Sequence, residues 1–288
     1  MIKIKVPATS ANIGCGFDSL GCALTLYATF TFKNSQQMNI SGCPKEYQNE
    51  NNLVLYSYKK VFEKLNQPVI PVSIHIDSQI PLSRGLGSSA CCIIGGIWGA
   101  NTLLNYPLSK EECLDIATEI EGHPDNVAPA LYGNLCASFQ SDKVYCTQFQ
   151  ASKKIKMLAL IPDFEISTKK AREVLPKQIK YQDAVFNLSR VASLCKAFET
   201  NDTEMIHATL QDKLHEPYRK KLIDEYDKIK EICKEETAFF ISGSGPTLIC
   251  IYQDSKEKLI QEISHLKNKW QCLDLRIEPK GVQEEKYD

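Results

Sequence analysis

Ile2, Ile4 and Val6 alternate with Lys3 and Lys5 at the start of the chain, the two-residue period of a half-buried strand. The same alternation predicts strands over 24–32 and 69–76. Between them, Leu53, Val54, Tyr56, Tyr58, Val61, Phe62 and Leu65 recur at helical spacing, while 36–52 is polar and reads as irregular. The run from Cys91 to Leu104 is apolar all round and carries Gly95, Gly96 and Gly99, which predicts a helix packed closely in the middle of its domain. Ser109 with Glu112 three positions on is a capping box opening a helix whose apolar face is Cys113, Ile116, Ala117 and Ile120 and which Pro124 ends.

A strand over 134–139 follows, then a polar stretch to Lys154, where the pattern changes. The expected division is therefore an N-terminal domain over 1–153 and a C-terminal domain over 154–288. The second half reads as a strand over 155–161 and a short helix capped by Ser167. Longer helices are expected over 183–199, 217–234 and 259–270, with strands over 238–241, 247–252 and 273–277. Strands and helices in this mixture make an α+β chain.

Composition narrows the function by exclusion. With 34 basic and 35 acidic residues interspersed over 288 positions, nothing favours nucleic acid or an anionic membrane surface. Any charged ligand must meet a local site. The N-terminus has no apolar signal core, no later stretch approaches a membrane span, and the expectation is a cytoplasmic protein. Twelve cysteines form no Cys-x-x-Cys pair and read as reduced, small apolar residues. The sequence leaves the choice between monomer and homodimer open.

Three polar interruptions remain. The segment Pro81-Leu82-Ser83-Arg84-Gly85-Leu86-Gly87-Ser88-Ser89-Ala90 lies between a strand and the glycine-bearing helix. Its glycines let a polyanion approach backbone amides, and the following helix turns its N-terminus to the same ligand. Such a turn suits a nucleotide triphosphate, although it matches neither the dinucleotide nor the Walker pattern, and a plain serine-capped turn has the same composition. The segment 7–21 sets Asn12 and Asp18 among three glycines, and 121–129 gathers Glu121, His123, Asp125 and Asn126 after a helix. Either could be a site or a local turn network. Ser242, Gly243, Ser244 and Gly245 form a second glycine-rich turn between two strands.

Together, Pro7 to Gly21, Ile80 to Ala90 and Ser242 to Thr247 resemble the three motifs of the GHMP kinase superfamily of small-molecule kinases, in order and near the usual spacing. The resemblance spans most of the chain and implies two domains. One is like the second domain of a small-subunit ribosomal protein, the other is ferredoxin-like, and the active site lies between them. Pro7 to Asp18 followed by Glu121 to Pro129 is most similar to the branch whose acceptor is L-homoserine, within threonine biosynthesis. Cys15, and Ile13 where Leu is commoner, are mild departures.

The resemblance further implies ATP held by Pro81 to Ala90 with Ser242 to Gly245 closing over it, and Mg²⁺ held by Ser89 and Glu121. It implies an acceptor pocket of Asn12, Asp18, His123, Asn126, Arg172 and Arg219, with Asp18 taking the ammonium and the arginines the carboxylate. Asn126 faces the reacting hydroxyl and cannot take a proton, so catalysis rests on approximation, with Asp125 as the alternative base. A kinase for mevalonate, shikimate or a sugar would share the loops, and a non-catalytic sensor would have lost the phosphate loop or metal ligand.

Overall fold

A computed structural model of the chain describes residues 1–286. The N-terminal alternation forms β1 (Ile2–Ala11), which pairs antiparallel with the long β2 (Leu20–Asn34) through a register shift at Pro7/Ala8. β3 (Asn39–Ser41), α1 (Leu53–Lys64) and β4 (Val72–Ser78) follow. Then come α2 (Ser88–Leu103), α3 (Lys110–Glu121), α4 (Pro124–Tyr132), β5 (Leu135–Gln140) and β6 (Val144–Phe149). The second half contains β7 (Lys156–Pro162), α5 (Thr168–Glu173), α6 (Tyr181–Thr200), α7 (Thr203–Thr209), α8 (Glu216–Arg219) and α9 (Tyr226–Ile232). It closes with β8 (Ala238–Ile241), β9 (Leu248–Tyr252), α10 (Lys256–Ile263), β10 (Trp270–Leu275) and β11 (Gln283–Lys286).

Two sheets result. The first runs β11-β1-β2-β4-β3, with β5 pairing the start of β2 and β6 pairing β5. The second runs β10-β7-β9-β8, all antiparallel. Numbered within the second half, its strands stand in the order 4-1-3-2, the ferredoxin-like arrangement that the resemblance implies. β7 is buried from Met157 to Pro162 because its two faces serve different cores. Leu158 and Leu160 join the cluster under α9 and α10, whereas Met157, Ala159 and Ile161 join the main core.

The glycine-bearing α2 is central, as expected. A Cβ at Gly95 would lie 2.5 Å from the Phe30 ring of β2, and one at Gly96 would lie 2.3 Å from the Val54 carbonyl of α1. The helix is thus wedged between sheet and neighbouring helix at distances no larger residue permits.

Several expectations change. Pro124 does not end a helix: Gly122 (φ 90) closes α3, and Pro124 opens α4, where its missing N–H is harmless. The helix expected over 217–234 is broken into α8, a single 3₁₀ turn and α9. At the break Glu225 takes φ 65, and its carboxylate accepts from the amides of Lys267 and Asn268. The helix expected over 259–270 stops at Ile263, and Trp270 begins β10, pairing with Pro162. The polar stretches hide β3 and β6, whose outward residues are solvated.

The division expected after residue 153 falls where the chain leaves one sheet for the other. β11 departs from it by returning to pair with β1. Glu284 on β11 accepts from Trp98 Nε1 at 3.0 Å and Thr102 Oγ1 at 2.8 Å on α2, and from the Tyr106 hydroxyl.

Candidate active site

β1 runs on to Ala11, four residues beyond the expected start of the first loop, so Thr9 and Ser10 are fully buried strand residues behind a cleft that both halves of the chain line. The cleft holds a cavity of about 670 Å³, lined by residues of all three polar interruptions. On one wall, Gly87 (φ 67) precedes α2, and no side chain caps that helix. The first-turn amides of α2 therefore have no side-chain partner and keep the positive end of the helix for an anion. A Cβ at Gly87 would sit 1.8 Å from Thr9 Oγ1, so the loop must pass this close to β1. Thr9 N in turn donates to Leu86 O at 3.2 Å.

The second glycine-rich turn locks onto the first. Ser242 Oγ donates to Gly85 O at 2.6 Å and lies 2.8 Å from Ser10 Oγ, while Gly243 N donates to Ala11 O at 3.0 Å and Thr247 N to Arg84 O at 3.2 Å. Arg84 reaches the other way, donating to the Pro162 and Asp163 carbonyls at 3.1 and 3.2 Å and pairing with Glu165 at 2.9 Å. The phosphate-type loop is braced by the second half of the chain.

At the far end of α3, Glu121 accepts from Ser89 Oγ at 2.7 Å. Burial raises its carboxyl above the ordinary value, the Ser89 bond opposing. His123 Nδ1 lies 2.5 Å from Asp125 Oδ1, and that bond raises the imidazole. Asn126, on the first turn of α4, accepts from Thr9 Oγ1 at 2.7 Å, so its amide orientation is set with the N–H₂ side away from β1.

Opposite stand the charges. Arg172 on α5 grips Asp18 with two bonds, 3.0 and 3.2 Å, and both side chains remain part-exposed to the cavity. Arg219 on α8 is 2% exposed. It donates from Nε to Ala171 O at 3.2 Å and from Nη1 to Gly243 O at 3.0 Å, with the cavity before it.

The N-terminal and C-terminal GHMP kinase models match residues 52–134 and 194–269. A homoserine kinase of Clostridium botulinum (strain ATCC 19397 / Type A) is 43% identical over 290 residues, covering 98% of each chain. The chain belongs to the homoserine kinase family. The crystal structure of homoserine kinase from Cytophaga hutchinsonii superposes with a TM-score of 0.87 at 28% identity, over 99% of this chain and 97% of that one. The Methanococcus jannaschii mevalonate kinase shares the fold, with a TM-score of 0.74 at 19% identity over 96% of this chain and 98% of that one.

Against the pattern expected for homoserine kinases, most of the named residues line one cavity: Asn12, Asp18, Pro81 to Gly85, Gly87 to Ser89, Glu121, His123, Asp125, Asn126, Arg172, Arg219, Gly243 and Ser244. Leu86 and Ala90 do not, since both side chains are buried in the core. Ser242 and Gly245 stand behind the wall, joining the two turns. The Asn12 amide is engaged on both sides, donating to Gly243 O at 2.7 Å and accepting from Asp18 N at 3.0 Å, so it fixes the loop that carries Asp18. Two residues escaped the sequence reading. Thr9 falls in a segment that reads as a loop, and only the continued strand shows that it aims at Asn126; His215, one residue before α8, carries no periodic or motif signal.

Proposed function

We propose that the enzyme transfers the γ-phosphoryl group of ATP to the side-chain hydroxyl of L-homoserine, giving O-phospho-L-homoserine in threonine biosynthesis. The observation that carries the reading is the Asp18–Arg172 pair beside Arg219. A carboxylate and two guanidinium groups sharing one end of the cleft match the ammonium and carboxylate of an amino acid. The substrate zwitterion replaces each partner of the internal pair with one of its own charges.

Homoserine then extends its hydroxyl toward Asn126. With Asn126 Oδ1 held by Thr9, Nδ2 donates to the hydroxyl oxygen and orients its lone pair toward the phosphate-binding wall. Asp125 is 1% exposed and bound to His123, which supports an orienting role over that of a base. The proton passes to a phosphate oxygen or solvent as the bond to phosphorus forms. Such transfer depends on alignment and charge neutralisation more than on covalent help.

The residues fit Mg²⁺: Ser89 and Glu121 present hard oxygen donors 2.7 Å apart beside the uncapped N-terminus of α2. No group of three His, Cys, Asp or Glu forms a metal cage among the described residues. That suits an ion which takes one or two protein oxygens and completes its shell with phosphate and water. When bound, Mg²⁺ neutralises charge on the phosphate oxygens.

Among the described residues no helix is long and apolar enough to cross a membrane, and all twelve cysteines are free. Unpaired thiols favour the reducing cytoplasm. The test is a coupled ADP-release assay offering L-homoserine, mevalonate, shikimate and galactose, with Glu121→Ala as control. Turnover of homoserine alone, lost in the control, is the expected result. Preference for another acceptor overturns the pocket assignment, and silence on all four overturns the kinase reading.

A further inference from the structure

Behind Arg219 lies a fully buried histidine that the reaction as described does not use. His215 has 0% exposure and stacks on Phe17, with ring centroids 5.2 Å apart at 20°. Its Nε2 lies 3.2 Å from Gly14 O, and its Nδ1 lies 3.4 Å from Arg219 Nη1. A carbonyl only accepts and a guanidinium only donates, so the ring carries its proton on Nε2 and offers a lone pair at Nδ1. The charges facing it are Asp212, 3.8 Å from Nε2, with Arg219 and Asp18 further contributors. Burial dominates among these and lowers the imidazole to about 4, consistent with the neutral tautomer that the geometry requires.

The placement of its two partners matters. Gly14 and Phe17 belong to the loop that carries Asn12 and Asp18. Arg219 has Nε and Nη1 engaged with Ala171, Gly243 and His215, which leaves Nη2 without a hydrogen-bond partner among the described residues. The Arg219 guanidinium also sits 5.1 Å over the Phe17 ring.

We propose that His215 is a positioning residue for amino-acid recognition. As a neutral Nε2–H imidazole it ties the Asp18 loop to Arg219 and turns Nη2 toward the substrate carboxylate. The proposal rests on the reading of Arg219 as a carboxylate clamp.

The test compares L-homoserine with 3-aminopropan-1-ol, which keeps the hydroxyl and amine but lacks the carboxylate. His215→Leu is expected to raise KM for homoserine about tenfold or more, as for loss of a hydrogen bond orienting a charged group. KM for ATP should stay within about twofold, and the preference for homoserine over 3-aminopropan-1-ol should shrink by the same factor. His215→Asn, whose Oδ1 can stand in for Nδ1, should recover part of that preference. His215→Gln, which keeps only an N–H toward Gly14, should not; it carries the test if the leucine variant does not fold. An unchanged preference in His215→Gln, or an equal loss on both acceptors, overturns the proposal. Arg219→Lys separates the two readings. If Lys leaves the preference intact, the clamp assignment itself fails; if it abolishes the preference while the His215 variants keep it, the positioning role alone fails.

Discussion

Deleting the Arg172 guanidinium should hurt recognition far more than stability. The Asp18–Arg172 pair has two good bonds, 3.0 and 3.2 Å, but its side chains are 37% and 41% exposed. Pairs this exposed contribute about 1 kcal/mol at most, so Arg172→Ala should lower Tm by no more than about 3 °C. Under the proposed reading the same guanidinium binds the substrate carboxylate, a charge-assisted bond of the stronger kind. Loss of a charge-assisted bond there costs about 1.5–3 kcal/mol, or about 10- to 150-fold in affinity.

One term opposes this loss. Without Arg172, Asp18 no longer has to be freed before it takes the ammonium, which offsets up to about 1 kcal/mol. The larger part of the loss survives, and a rise in KM for homoserine of about tenfold is the central expectation, with KM for ATP within about twofold. Initial rates from coupled ADP release, set beside a thermal melt of the same preparation, measure both quantities. Arg172→Lys should fall between, keeping the charge and losing the fork. If Arg172→Ala leaves the homoserine KM unchanged and drops Tm by more than about 5 °C, the pair is a structural staple and the substrate argument built on it is wrong.

Gly87→Ala places a methyl group 1.8 Å from Thr9 Oγ1 at a φ of 67°, so the loop must move even before the left-handed penalty of about 1–2 kcal/mol is counted. Loss of the ATP-induced rise in Tm is expected, with kcat falling as Thr9 loosens its hold on Asn126; a normal thermal shift with ATP would refute the cradle. Burial raises the Glu216 carboxyl from 4.5 to about 8. Between those values the folded protein holds a proton that the unfolded chain releases, so this stabilisation is complete below about pH 4.5 and fades as pH rises through about 8. Glu216→Gln, neutral at every pH, should flatten that decline in urea midpoints measured at about pH 6, 7 and 8, and an unaltered slope would assign the decline to another group.

The elements whose stabilising contacts are local were legible. The capping box at Ser109 is present with both of its bonds, and Ser167 caps α5 through the amide of Lys170. The glycines of α2 announced close packing because no other residue tolerates it. What failed were segments governed by distant partners. Nothing near Glu225 says that amides 42 and 43 positions later will hold it in a left-handed conformation, and β11 exists only because β1 has an edge to fill. The site divides in the same way. Loop composition pointed to its phosphate wall and acidic cluster, yet the roles of Arg84 as a brace and Asn12 as a loop anchor depend on carbonyls more than seventy positions away.

The return of β11 also bears on how the chain is made. β2 follows β1 from the ribosome and can pair along one side of it soon after, but the other side stays open until residues 283–286 have been synthesised. An unpaired strand edge is a template for wrong partners. The three α2-region donors that converge on Glu284 make the late arrival hold once it docks, so β11 works as a seal on an edge that every nascent copy exposes from the making of β1 until that of β11.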